Sequence, residues 1–150
     1  MMKKFILSIL FSTLLFGSNL KIDDKIDTFS LTNQFDKMET ITADTTTIIV
    51  TFDNKSIDLI TKYLAKKTPD FLTSHHAVFV ANITHNPSVE TRIFTLPKLR
   101  DCKYSVMLLH DEKNLRFAKQ AEKITIYKIN NGIVNSISYI DSEQKLEEFF

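Results

Sequence analysis

Cys102 is the only cysteine in a chain of 150 residues. Thiol chemistry runs through the thiolate, and a lone cysteine has no partner for an internal disulfide. Its place at the entrance of an apolar run suits a small buried residue, with a reactive thiol as the alternative. The histidines come next: His75, His76, His85 and His110 could ligate metal or move protons. His75 and His76 are adjacent and would point to opposite sides of an extended chain, and no His-x-His or His-x-x-x-His pair preorganises a site, so no metal is expected. Ser56, His110 and Asp111 can be drawn as a triad, but the nucleophile-elbow motif is missing. Gly17 and Gly132 are the only glycines, too few for a phosphate-cradling loop, and no cofactor is expected. Lys98 and Arg100 could clamp an anion; the plainer reading is a solvated turn in which one of them pairs with Asp101.

These residues are held by elements that hydrophobic periodicity marks out. Residues 28–42 read as two short strands around the turn Asn33-Gln34-Phe35-Asp36. The run 47–52 carries no charge and suits a central strand covered on both faces. Asp53 or Asn54 can cap a helix reaching about Lys67, with Ile57, Ile60 and Leu64 on one face. Pro69 ends it or begins a new turn. Residues 77–81 form another apolar strand. Asn86-Pro87 opens a helix whose buried face is Val89, Ile93 and Leu96, and Pro97 stops it. Residues 104–109 form a third strand, followed by a short helix over 114–121 with Leu115 and Ala118 inward. The strands 124–129 and 133–140 join through Asn130-Asn131-Gly132, where Asn and Gly tolerate the positive φ of a tight hairpin. Asp141 or Ser142 caps a terminal helix that buries Leu146, Phe149 and Phe150. Phe117, Phe149 and Phe150 are the aromatic side chains to check for exposure.

The first residues look like an export signal. Lys3 and Lys4 precede an apolar stretch over 5–16, and Gly17-Ser18 supplies small residues for cleavage. The polar run 19–27 comes too soon for a membrane span, which needs roughly 20 apolar residues. Residues 1–18 are therefore expected to be a secretory signal peptide, and 19–150 one domain in the periplasm or outside the cell, with no membrane span once the signal is cleaved. The formal net charge of +1 falls to about −1 without Lys3 and Lys4. Lysines are scattered and arginines number three, so nucleic acid is not an expected partner.

Strands alternating with helices imply parallel strands, and the closing hairpin adds antiparallel pairing to a mixed sheet. The order resembles the thioredoxin-like superfamily, and within it the redoxin branch that includes the peroxiredoxins. Phe29-Ser30-Leu31-Thr32-Asn33-Gln34 is similar to the opening redoxin hairpin, and 47–52 to the strand entering the active site. Residues 104–111 look like the redoxin strand that ends in Asp, and 124–140 like the closing hairpin. The stretch 77–104 is also similar to uncharacterised exported bacterial proteins, chiefly in Asn82-Ile83, Pro87 and Leu96-Pro97-Lys98-Leu99-Arg100. The resemblance implies an α/β, three-layer thioredoxin-like fold with a central mixed sheet and an N-terminal β-hairpin. It also exposes departures. Where thioredoxins carry Cys-x-x-Cys and peroxiredoxins a Cys preceded by Pro and Thr, this chain has Asp53-Asn54-Lys55-Ser56-Ile57-Asp58. Where thioredoxins have a cis-proline, Glu122-Lys123 lead into Ile124. Peroxiredoxins place an arginine near that point, for which Lys123 supplies charge but not a fork of donors.

The expected function is an exported binding or accessory module of the cell envelope without thiol redox chemistry, and the alternative is a redox protein or enzyme using Cys102. Ligands of open α/β sheets bind beyond the C-terminal ends of parallel strands. Those ends gather Asp53, Asn54, Lys55, Ser56, Asn82, His85, His110 and Asp111, joined by Glu122 and Lys123 if the closing hairpin enters antiparallel. This edge is the expected footprint of a protein or small-molecule partner, and Cys102, which precedes its strand, belongs at the opposite edge.

Overall fold

Thr47-Ile48-Ile49-Val50-Thr51 offers no charge and no polar face, so it can lie only in the middle of a sheet covered on both sides. In the computed structural model, which describes residues 19–84, 87–112 and 116–150, every residue of this strand, β3 (Thr47–Thr51), is buried. Around it lie β1 (Phe29–Asn33), β2 (Met38–Ile41), β4 (Ala77–Asn82), β5 (Met107–Leu109), β6 (Ile124–Asn130) and β7 (Ile133–Ile140). They form one sheet in the order β2-β1-β5-β4-β3-β6-β7. The strands β3, β4 and β5 are parallel, with Val50 beside Val80 and Ala81 beside Leu108. The remaining pairings are antiparallel, including β6 against β3.

One face of the sheet is covered by helices. Asp53 caps α1 (Asn54–Ala65), whose Ile57, Ile60 and Leu64 are buried as their spacing predicts. After Pro69 comes the single turn α2 (Phe71–Ser74). Ser142 caps α5 (Glu143–Glu147), which buries Leu146, while Phe149 and Phe150 are half-buried against the same core and Phe150 lies 5.1 Å from the ring of Phe71. The hairpin between β6 and β7 turns on Asn131 and Gly132 with φ of 50° and 77°, the left-handed pair that a tight two-residue turn requires.

The helix expected after Asn86 departs from its predicted pattern. Residues 85, 86 and 113–115 lie outside the described residues, so the Asn86 cap and Leu115 do too. From Ser88 the chain runs through α3 (Ser88–Glu90), a π-turn (Thr91–Thr95) and α4 (Leu96–Arg100) without a break. Pro97 does not stop it. The N–H of Leu96 reaches back to the carbonyl of Thr91, one residue beyond the α-helical partner, and the widened turn takes in a residue that has no N–H to give. The inward side is then Thr91, Thr95 and Leu99. Val89 and Ile93, expected inside, are 66% and 56% exposed, beside Phe94 at 65%, and Leu96 is half-buried.

The other face of the sheet is closed by irregular chain. The expected helix over 114–121 is not formed in its described part, 116–121. Ala118 donates its N–H to the Tyr127 hydroxyl at 2.7 Å and accepts from the Thr125 hydroxyl at 2.8 Å, so β6 side chains take the backbone groups that a helix would use. Phe117 is buried against Tyr127 rather than exposed. The strand expected over 104–109 is regular only from Met107. Before that, the Gln34 side chain stands in for a neighbouring strand, donating to Tyr104 O at 2.8 Å and accepting from Val106 N at 2.7 Å.

Candidate functional site

Because β3, β4 and β5 run parallel and β6 opposes β3, the exits of three strands and the entrance of a fourth share one edge of the sheet. The candidate residues fall there in two groups.

The first group closes the head of α1. The Asp53 carboxylate accepts from the Ser56 N–H at 2.8 Å and from the Glu122 N–H at 2.9 Å. Ser56 is fully buried, and its hydroxyl accepts from Phe52 N and Asp53 N while donating to Asp53 O, which completes a capping box. A hydroxyl so engaged is no nucleophile, and the triad drawn from Ser56, His110 and Asp111 is not assembled. Burial pushes the Asp53 carboxyl up, but the Ser56 N–H and hydroxyl, the Glu122 N–H and the Lys119 charge outweigh it and hold the group below its ordinary value. Glu122 adopts φ of 64°, and its carboxylate pairs with Lys55 at 2.9 Å. That pairing raises the Lys55 ammonium above its ordinary value. Lys119 and Lys55 both feel the charge of Asp53, and Lys119 helps hold its carboxyl down, whereas the charge of Lys123 acts on Asp141. Lys119 escaped sequence reading because an assumed helix over 114–121 gave no reason to turn it toward Asp53.

The second group lies at the ends of β4 and β5. Asn82 is buried and donates to Glu112 at 2.5 Å, while its carbonyl oxygen accepts from the N–H and hydroxyl of Thr84. His110 is exposed and borders a cavity of about 240 Å³ with Ile83, Ser88, Thr91, Arg92 and Leu96. Asp111 is exposed beside it, and His85 lies outside the described residues. Asn54 bridges the two groups, donating to Glu90 at 2.8 Å and accepting from the Thr95 hydroxyl at 3.4 Å. Glu90, Thr95 and Glu112 were missed because they become neighbours only through the π-turn and the sheet register.

Cys102 sits elsewhere. It precedes β5 and lines a second cavity of about 240 Å³ with Leu64, Lys67 and Thr68, at the tail of α1. The length of α1 puts it on the order of 18 Å from the head at a rise of about 1.5 Å per residue. Burial raises the thiol above its ordinary value, and the nearby Tyr104 hydroxyl tempers this without completing a hydrogen bond of its own. Lys98 pairs with Asp58, and Arg100 donates to the Gln34 carbonyl at 3.1 Å, so neither pairs with Asp101 as the sequence suggested. Among the described residues no helix is long and apolar enough to cross a membrane.

No protein-family model matches this chain, and no curated protein sequence does. Its backbone is nevertheless similar to solved structures of thiol–disulfide proteins. A putative thiol:disulfide interchange protein DsbE from Chlorobium tepidum aligns over 87% of this chain and 96% of that one at 15% identity, with a TM-score of 0.58. StoA from Bacillus subtilis aligns over 82% and 96% at 10% identity, with a TM-score of 0.53. The thioredoxin domain of a thiol-disulfide oxidoreductase from Bacteroides vulgatus aligns over 87% and 99% at 12% identity, with a TM-score of 0.52. At such identities the likeness is one of fold, and the fold of this chain is thioredoxin-like. The β1–β2 hairpin extends the sheet on the far side of β5.

Proposed function

We propose that this chain is an exported thioredoxin-fold protein without thiol redox chemistry, serving as a binding or accessory module in the cell envelope. The observation that carries this reading is the head of α1. A helix N-terminus stabilises a nearby anion through its free N–H groups and dipole, which is how it lowers the pKa of a cysteine placed there. Here the Asp53 carboxylate occupies that position, bonded to Ser56 and Glu122, and no thiol stands near it. The Lys3, Lys4 and 5–16 pattern supports export, and the polar groups of Asp53, Asn54, Lys55 and Lys123, with Ser56 buried beneath them, support a docking edge there. The competing redox reading draws on the cavity beside Cys102, yet a thiol raised by burial is a poor source of thiolate.

The purified protein is expected to show neither disulfide reductase nor peroxidase turnover with dithiol donors. Peroxide consumption that disappears in Cys102→Ser would overturn the proposal. Cell fractionation, with residues 1–18 present and removed, tests export.

A further inference from the structure

The cavity at the ends of β4 and β5 holds the observations that the head of α1 leaves unused. Its walls are Ile83 and Leu96 on the apolar side and Ser88, Thr91, Arg92 and His110 on the polar side, with no acidic residue among them. Of the carboxylates nearby, Glu90 holds Asn54 and Glu112 holds Asn82, and Asp111 beside His110 has a partner of its own. Arg92 and His110 make no hydrogen bond or ion pair with any described residue. Thr91 is more than nine-tenths buried, and its hydroxyl has no hydrogen-bond partner. A buried hydroxyl left unpaired costs about 1–3 kcal/mol, and such groups recur where a water, an ion or a ligand completes the bonding. Thr91, where the π-turn begins, lines the cavity with its hydroxyl buried behind the wall, and π-turns recur at functional positions.

We propose that this cavity binds a small organic carboxylate, a reading that rests on the proposed function and names a ligand class for its docking edge. The planar fork of Arg92 matches a carboxylate bidentately. His110, exposed at the same cavity, flanks it as a further hydrogen-bonding group. Ile83 and Leu96 give a short alkyl or aryl body an apolar wall, which an inorganic anion would leave unused. The volume of about 240 Å³ lies below the roughly 300–1,000 Å³ of drug-sized pockets, so the ligand is short.

Titration of the isotope-labelled protein with butyrate, butyramide and inorganic phosphate, followed by NMR, tests this. Butyrate is expected to give saturable shifts at Ile83, Thr91 and His110. Butyramide and phosphate should bind at least tenfold more weakly. Arg92→Gln, an exposed change, should weaken butyrate at least tenfold. Equal binding of butyrate and butyramide, equal binding of phosphate, or an Arg92→Gln variant that binds like the wild type would each overturn the carboxylate assignment. Saturable shifts confined to residues 53–56 would also overturn it while leaving the docking edge in place. Failure of the proposed function itself is read from the separate peroxide assay.

Discussion

The two ends of α1 make opposite uses of polar chemistry. At the head, a carboxylate is held ionised by two N–H donors and a lysine, and a strained Glu122 backbone is spent in supplying one of those donors. At the tail, a half-buried thiol shares a cavity with Leu64 and Thr68 and is pushed toward its neutral form. A redoxin needs thiol and helix head in one place. This molecule separates them by the length of a helix, with the ionised carboxylate favoured at one end and the neutral thiol at the other. The lesson is that the fold supplies the electrostatic device, while the residue placed in it decides whether the device activates a nucleophile or merely caps a helix.

The largest expected effect falls on the platform that both ends share. Val50 is fully buried in β3 between β4 and β6, so Val50→Asp strands a carboxylate without a partner and should abolish cooperative unfolding, at a cost of several kcal/mol. A variant with a normal melt would show that β3 is not the centre of the sheet. Next comes Asp53→Ala, which removes the cap and the acceptor for Glu122 N–H; loss of an N-cap costs about 1–2 kcal/mol in denaturant melts. Its pH dependence carries a sign. The folded Asp53 carboxyl lies below its ordinary value of 3.8, so its stabilisation is complete above that value and is lost as pH falls through the depressed one. Wild type and Asp53→Ala should therefore converge in acid, and a constant gap between them down to low pH would contradict the bonded carboxylate.

The tail is probed by thiol reactivity. With the folded thiol raised above 9.0, alkylation of Cys102 at neutral pH should be on the order of tenfold slower in the native protein than in denaturant. Equal rates would mean a thiol neither shielded nor raised at the tail, and faster native alkylation would mean a thiolate there; either would erase the contrast with the head.

Much of this was legible in the sequence because periodicity and turn chemistry are local. The charge-free β3, the Asn131-Gly132 turn, the Ile57, Ile60 and Leu64 face and the Asp53 cap each follow from a few adjacent residues. Parallel order then placed Asp53, Asn82, His110 and Glu122 on one edge. What was not legible depends on distant partners. Gln34 substitutes for a strand beside Tyr104 and Val106 from some 70 positions away. Tyr127 and Thr125 claim the backbone of Ala118 and forbid the expected helix. The π-turn shifts the buried face of the 88–100 helix to Thr91, Thr95 and Leu99, so Val89 and Ile93 of the expected face turn outward while Leu96 stays half-buried against the core.

The smallest effect belongs to Lys62, in the last turn of α1 and exposed. A cation there favours the negative end of the helix dipole by about 0.3–1 kcal/mol at most, and solvent and salt reduce this further. Its remaining reach is to Glu143, whose carboxyl is held below its ordinary value chiefly by the hydrogen bond from Lys66 and only last by the charge of Lys62. Lys62→Ala also gains helix propensity, which offsets part of the lost charge term. The variant should unfold within about 0.5 kcal/mol of the wild type, as surface substitutions away from special features do. The comparison with Asp53→Ala is the informative one. The head of α1 is fixed by directed hydrogen bonds to a single carboxylate, whereas the tail is fixed by burial of Tyr63 and Leu64 and by the ion pairs of Lys66 and Lys67 rather than by Lys62. A loss in Lys62→Ala as large as that in Asp53→Ala would show that charge, rather than packing, holds the tail, and the asymmetry between the two ends would be gone.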